Sequence, residues 1–491
     1  MAASQRRIAI IGTGFSGLCL GIQLKKAGID SFVIYEKAEG IGGTWRENTY
    51  PGAECDIPSA LYSFSFEKNP NWSHKWSEQP EILEYLEYCA KKHDLYSHME
   101  FGQRVSALHF DEEKGNWRLQ TEQGVDEEFD LVVSGIGQLH KPALPAIEGI
   151  DDFQGDSFHS AQWNHDVSLE GKKVSCIGNG ASAVQFLPQI APSVSKLTVF
   201  QRSANWVLPK KDRPYSNFEK KIMTLIPPLL GLYRFGIWLG GEVLVYPLMY
   251  MKSDSLRKKA EQGTKDYIES KIDEPAVREK LLPDYPMGAK RILFSDDIYD
   301  AYNRDNVKIV TDSIEKIEAR GVRTKDGTLH ETDVLVYASG FETNSFVTPM
   351  EVTGLGGSSL TEIWDRDGAE AYLGITHTGF PNFFMMYGPN TNLGHSSIVV
   401  MIEAQTRYIL SCLAQLDKKN SPWLNVKQDV QKRYNDAIQE KLQKSSWANV
   451  DQSWYKNEQG KVTNNWSGRT TEYRKLTKHV NPDDYEFAGA T

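Results

Sequence analysis

Two patterns of apolar positions alternate along the chain. The run Ile8–Ile11 is short and continuous, as expected of a strand buried on both faces, and it breaks at Gly12. Apolar residues then recur at helical spacing, and a second short run, Phe32–Tyr35, ends the unit. The same order returns later: 174–177, a glycine turn, a helical stretch, and 197–200. Strands alternating with helices in this way predict an α/β fold with parallel sheets. Two more β-rich segments, 130–137 (DLVVSGIG) and 333–341 (DVLVYASGF), end in small residues. They read as strands from which the chain crosses between two units through tight passages. The expected division is one domain from 1–149 and 342–491, a second from 150–215 and 286–341, and a helical insertion at 216–285.

Both turns carry spaced glycines, Gly12-x-Gly14-x-x-Gly17 and Gly178-x-Gly180-x-Ser182-Ala183. One glycine allows the tight turn and the next lets backbone approach a pyrophosphate. The third position, Gly17 or Ala183, keeps helix and strand close, and the helix N-terminus faces the anion. A lone glycine pattern is weak, but here each has a strand before it, a helix after it and a second strand behind. The second strands end differently. Glu36 lies 24 residues after Gly12, where a carboxylate accepts from ribose hydroxyls. Arg202 lies 24 residues after Gly178, where a cation pairs with a 2′-phosphate. The contrast favours one FAD site and one NADPH site, hence electron transfer between them.

Composition narrows the partners. The 491 residues carry a formal charge of −10 with no basic tract, against nucleic acid or an anionic membrane as the main partner. Five cysteines without C-x-x-C spacing argue against a disulfide framework or a metal site and fit a reducing, cytoplasmic setting. Residues 223–251 are apolar and long enough to span a bilayer. Pro227, Pro228, Pro247, Arg234 and Glu242 interrupt them, so a helical insertion packed on the protein is the preferred reading over peripheral membrane contact.

Longer motifs carry a resemblance. Gly42-Gly43-x-Trp45-x-x-x-x-Tyr50-Pro51-Gly52-x-x-x-Asp56 follows the first turn, and Phe153-x-Gly155-x-x-x-His159-x-x-x-Trp163 precedes the second. Together they resemble the paired fingerprints of type I Baeyer–Villiger monooxygenases, a class of flavin-dependent monooxygenase, from about residue 7 to at least 473. Asn164, Ala183 and the Ala338-Ser339-Gly340 triplet depart from the usual pattern.

The resemblance implies that NADPH reduces FAD, that dioxygen adds to give a C4a-peroxyflavin, and that this attacks a ketone. A Criegee adduct then rearranges to an ester or lactone. Such a nucleophile requires a permanent cation beside it, which arginine supplies. The family's match is Arg291, held by Asp56, while Lys290 joins Arg202 on the 2′-phosphate. His159 is implied to position the linker between domains, though a proton relay is the other reading. Trp45 and Trp163 read as aromatic packing near the flavin and the linker, Gly43 and Trp45 being placed at the cofactor, and the turn 387–395, with Asn390, is implied to approach the flavin. Trp447, Trp454, Tyr455 and Trp466 suit either a pocket lining or core. Rival readings are a sulfur or nitrogen oxygenase on the same scaffold, or a flavin reductase serving another acceptor. The substrate class suggested is a hydrophobic ketone, whether long-chain, aromatic or cyclic.

Overall fold

A computed structural model describes residues 5–250, 254–449, 455–457 and 459–488. Ten strands build the two main sheets: β1 (Ile8–Ile11), β2 (Phe32–Tyr35), β3 (Met99–Glu100), β4 (Leu131–Ser134), β5 (Asp156–His159), β6 (Lys173–Ile177), β7 (Lys196–Phe200), β8 (Val307–Val310), β9 (Val334–Tyr337) and β10 (Phe383–Met385). The first sheet has the order β10-β4-β1-β2-β3 and the second β8-β7-β6-β9-β5, with every pairing parallel. Their central strands are buried on both faces because helices cover one side of each sheet and a small antiparallel sheet covers the other.

Six helices frame the site and the insertion: α1 (Phe15–Lys26), α2 (Ala181–Ile190), α3 (Asn217–Leu225), α4 (Pro227–Gly240), α5 (Tyr246–Met249) and α6 (Ile398–Lys418). The late helix α6 packs on α1, and one core joins Leu18, Ile22 and Ile34 to Ile402, Ile409 and Leu413. Residues after 341 thus return to the first sheet. A second core gathers Val174, Phe186, Val199 and Val336 around α2. Between 217 and 281 the described residues form helices and one π turn, Gly241–Val245.

The two glycine turns are built alike. Gly12 N–H donates to the Tyr35 carbonyl at 2.8 Å and Gly178 N–H to that of Phe200 at 3.0 Å. Gly135 N–H reaches the Ile11 carbonyl at 2.8 Å, and Ala338 N–H reaches Ile177 at 2.9 Å. The two β-rich segments therefore stop being strands at Ser134 and Tyr337. Beyond them, Gly137 (φ +75°) and Gly340 (φ +89°) turn the chain out of the sheet and into the crossing. All five cysteines are buried and unpaired.

Candidate active site

Both turns open on one cavity of about 830 Å³, in the size range of cofactor pockets. The first unit contributes Gly12, Gly14, Glu36, Gly43, Trp45 and Asp56; the second contributes Gly180, Ser182, Gln185, Lys290 and Arg291.

The glycines make room for a ligand rather than for side chains. A Cβ at Gly43 (φ +53°) would lie 3.3 Å from the Gly14 Cα, so two bare backbones meet at the cavity wall. Neither α1 nor α2 has a side-chain cap at its N-terminus, which leaves first-turn N–H groups open toward the cavity. Glu36 accepts from Thr13 N–H (2.8 Å), Thr13 Oγ1 (2.7 Å) and Ala38 N–H (2.9 Å). A carboxylate offers about four acceptor positions, so capacity remains for a ribose hydroxyl.

At the centre, Asp56 accepts a charge-assisted hydrogen bond from Arg291, across 235 residues of sequence. Burial disfavours the guanidinium charge, but Asp56 outweighs it and the pKa lies above the ordinary arginine value. The Arg291 side chain still exposes 37% of its surface, toward the cavity. A fixed cation there is aimed at whatever negative charge forms in the space.

Lys290 Nζ donates to Ser203 Oγ at 2.8 Å and lies 4.4 Å from the Tyr285 ring centre. Burial lowers its pKa and repulsion from Arg202 lowers it further. Two mutually repelling cations beside the second glycine turn form a place for an anion. Arg202 itself is exposed and outside the cavity lining.

Other expected residues sit behind the wall. A Cβ at Gly17 would lie 1.9 Å from the Gly12 carbonyl oxygen, so this glycine holds helix to strand. Gly178 (φ +111°) lies instead against the crossing segment, where the Ala338 carbonyl oxygen would be 2.3 Å from a Cβ, as Gly12 lies against Gly135. Trp45, which does line the cavity, donates from Nε1 to the Tyr62 hydroxyl at 3.1 Å. Gly155 lets the Phe153 ring and the Asp333 carbonyl approach closely, and Trp163 packs between Phe158 and Phe186. Asn390, expected at the cofactor, lies outside the cavity lining. Its Nδ2 donates to the carbonyls of Val462 (2.8 Å) and Asn465 (3.1 Å), clamping the tail to the turn. Trp447 and Trp466 belong to a buried core with Met249 and Tyr473 rather than to the cavity, and Trp454 lies outside the described residues.

His159 ends β5 beside the crossing segment, with its ring 5.9 Å from that of Phe341. Its Nδ1 accepts from Ala161 N–H at 3.1 Å. Burial lowers its pKa, opposed by contact with the Gly340 backbone. A histidine kept neutral in the folded state costs stability as pH falls below about 6.5, because only the unfolded chain takes up the proton. His159→Asn keeps an acceptor for Ala161. It should lose less melting temperature than the wild type between about pH 7.5 and about pH 5.5; equal losses would remove His159 from the acid response.

Several participants carry no local sequence signal. Gln138 donates to the Tyr387 carbonyl at 3.1 Å, while its buried Oε1 in the cavity wall lacks a protein partner. Glu54 pairs with Lys210, and burial pushes its carboxyl up to about 7 against the pull of that lysine. Tyr50 donates to Gln185 Oε1 at 2.8 Å, and Gln185 donates to the Glu54 carbonyl at 3.0 Å, stitching the first unit to α2.

The family model described as flavin-binding monooxygenase-like matches residues 5–226. A Baeyer–Villiger monooxygenase of Pseudomonas aeruginosa is 41% identical over 490 residues, covering 99% of this chain and 92% of its own. The crystal structure of OTEMO in complex with FAD and NADP is 26% identical with a TM-score of 0.89, covering 99% of this chain and 100% of that one. Cyclohexanone monooxygenase from Rhodococcus sp. Phi1, bound to NADP+, is 27% identical with a TM-score of 0.87, covering 99% of each chain.

Proposed function

Because the chain belongs to the Baeyer–Villiger monooxygenases, we propose that it converts a hydrophobic ketone to an ester or lactone, with Arg291 as its central catalytic residue. The balanced reaction consumes ketone, dioxygen, NADPH and a proton and yields ester, NADP+ and water. The carrying observation is the Asp56-held Arg291 in a cavity shared by both glycine turns.

The residues fit the cofactors. The bare backbones of Gly14 and Gly43, the spare acceptor position of Glu36 and the unpartnered Gln138 Oε1 suit FAD. The open space at Gly180 and the cations Lys290 and Arg202 suit NADPH. Bound FAD supplies the activation of dioxygen by electrons from NADPH. Arg291 stabilises developing negative charge on oxygen, Asp56 keeps its guanidinium oriented, and the enclosing walls exclude water. Ile57, Leu393, Ile398 and Ile402 on the cavity wall favour an apolar substrate. The domain division 1–149 with 342–491 around FAD, and 150–215 with 286–341 around NADPH, accompanies this reading, with the insertion at 216–285. The unpaired, buried cysteines support a cytoplasmic setting.

Incubating the holoenzyme with NADPH, labelled dioxygen and panels of ketones and sulfides tests the proposal. Labelled esters are expected; labelled sulfoxides without any ester would assign the chain to heteroatom oxygenation. Arg202→Ala should raise KM for NADPH about tenfold to a hundredfold, the worth of a charge-assisted contact, and leave that for NADH near wild type. An equal rise for both would remove Arg202 from the 2′-phosphate.

A further inference from the structure

The insertion wears its apolar side outward. Leu229, Leu232, Phe235 and Leu239 on α4, with Val243 in the π turn, follow one another at intervals of three and four residues, and each is exposed. Leu232 exposes 66% of its surface. The charges that interrupt the segment point the other way. Arg234 is buried and donates to the carbonyls of Ala60 and Ser63, both at 2.8 Å. Glu242 is buried too and accepts from Thr470 N–H (3.0 Å) and Oγ1 (2.6 Å), with His395 Nε2 at 3.2 Å. A helix on a water-facing surface buries its apolar stripe and exposes its charges; here the arrangement is inverted.

The surrounding charge selects the occupant. Residues 210–260 hold ten Lys and Arg against four Asp and Glu, in a chain whose net charge is −10, although Lys210, Arg213, Arg234 and Arg257 are buried or paired within the protein. On α3, Lys221 is exposed and Lys220 partly so, while the Lys68 ammonium sits beside Gly231 on α4. The acids of helices α3 to α5 are engaged elsewhere, Glu219 with Arg213 and Glu242 inside the protein. An apolar stripe rimmed by lysines, with no carboxylate free on it among the described residues, matches an anionic bilayer surface.

We propose that helices α3 and α4 and the π turn that follows them dock the enzyme on anionic membranes by lying in the lipid interface, without spanning it. The overall negative charge conceals this local reversal. The inner side of the same insertion rests on the cavity wall: a Cβ at Gly241 would lie 2.3 Å from the His395 carbonyl oxygen, and one at Gly394 would lie 2.3 Å from Met249 Cε.

The test uses flavin-loaded enzyme and sedimentation with vesicles of phosphatidylcholine alone or of equimolar phosphatidylcholine and phosphatidylglycerol. Binding is expected on the anionic vesicles. It should fall about tenfold or more in the triple variant L232S/F235S/V243S, whose exposed positions leave folding and flavin content unchanged. Lys220→Gln with Lys221→Gln should weaken binding to anionic vesicles. Absence of wild-type binding, or binding indifferent to these substitutions, overturns the proposal. So does a dimer in sedimentation equilibrium that the triple variant dissociates, since a second copy would then cover the face. None of these readouts depends on the reaction catalysed.

Discussion

Arg291→Ala should lower ester formation about a hundredfold to a thousandfold while NADPH-driven flavin reduction stays near wild type. That is the scale of losing one preorganised charge or donor at a developing oxyanion. The separation of the two half-reactions follows from placement. In the proposed function, hydride transfer relies on NADPH seated by Lys290 and the second glycine turn, whereas oxygen transfer relies on the guanidinium that Asp56 holds at the cavity centre. Arg291→Lys should restore little, because a point charge on a flexible stem lacks the planar fork that meets a carboxylate. Rapid mixing with NADPH measures the first half-reaction, and ester yield measures the second. Wild-type ester yield from the alanine variant would withdraw Arg291 from the chemistry.

Gly17→Ala should yield a protein that purifies almost without flavin. The new methyl would sit 1.9 Å from the Gly12 carbonyl oxygen, and both groups belong to the strand–helix junction, so neither moves cheaply. Overpacking of this severity costs about 3 kcal/mol or more, equivalent to a hundredfold or greater loss of flavin affinity. The ratio of flavin to protein absorbance reports it. Gly178→Ala is the companion: strain against Ala338 should weaken NADPH binding and leave the flavin in place. If both variants kept normal flavin content, the first turn would lose its assignment.

The parts of the fold legible in the sequence are those written locally. Strand β1, its turn and α1 occupy neighbouring positions, and each apolar run of the two glycine units coincides with a strand to within a residue. Asp56 became legible only as the close of a fingerprint and Arg291 only through the family resemblance, because no local pattern joins residues 235 positions apart. The rest depends on contacts made late in chain order. Asn390 was expected beside the flavin, yet its amide is committed to Val462 and Asn465, a pairing that exists only once the tail folds back. Glu54 and Lys210 look like ordinary surface charges until the units close and bury them together. The insertion was harder still. Its hydrophobicity is plain in composition, but which side faces out depends on where Arg234 and Glu242 find partners, at Ala60, Ser63 and Thr470.

The five buried cysteines carry a consequence for the working life of the enzyme. A catalyst that handles dioxygen at a reduced flavin releases hydrogen peroxide whenever a turnover miscarries. Cys55 stands in the wall of that same cavity. Peroxide attacks thiolates and leaves thiols largely alone. Burial raises the pKa of all five thiols, Cys55 well above the ordinary cysteine value, so each keeps its proton at any physiological pH. The chain is thereby armoured, at its cysteines, against its own by-product.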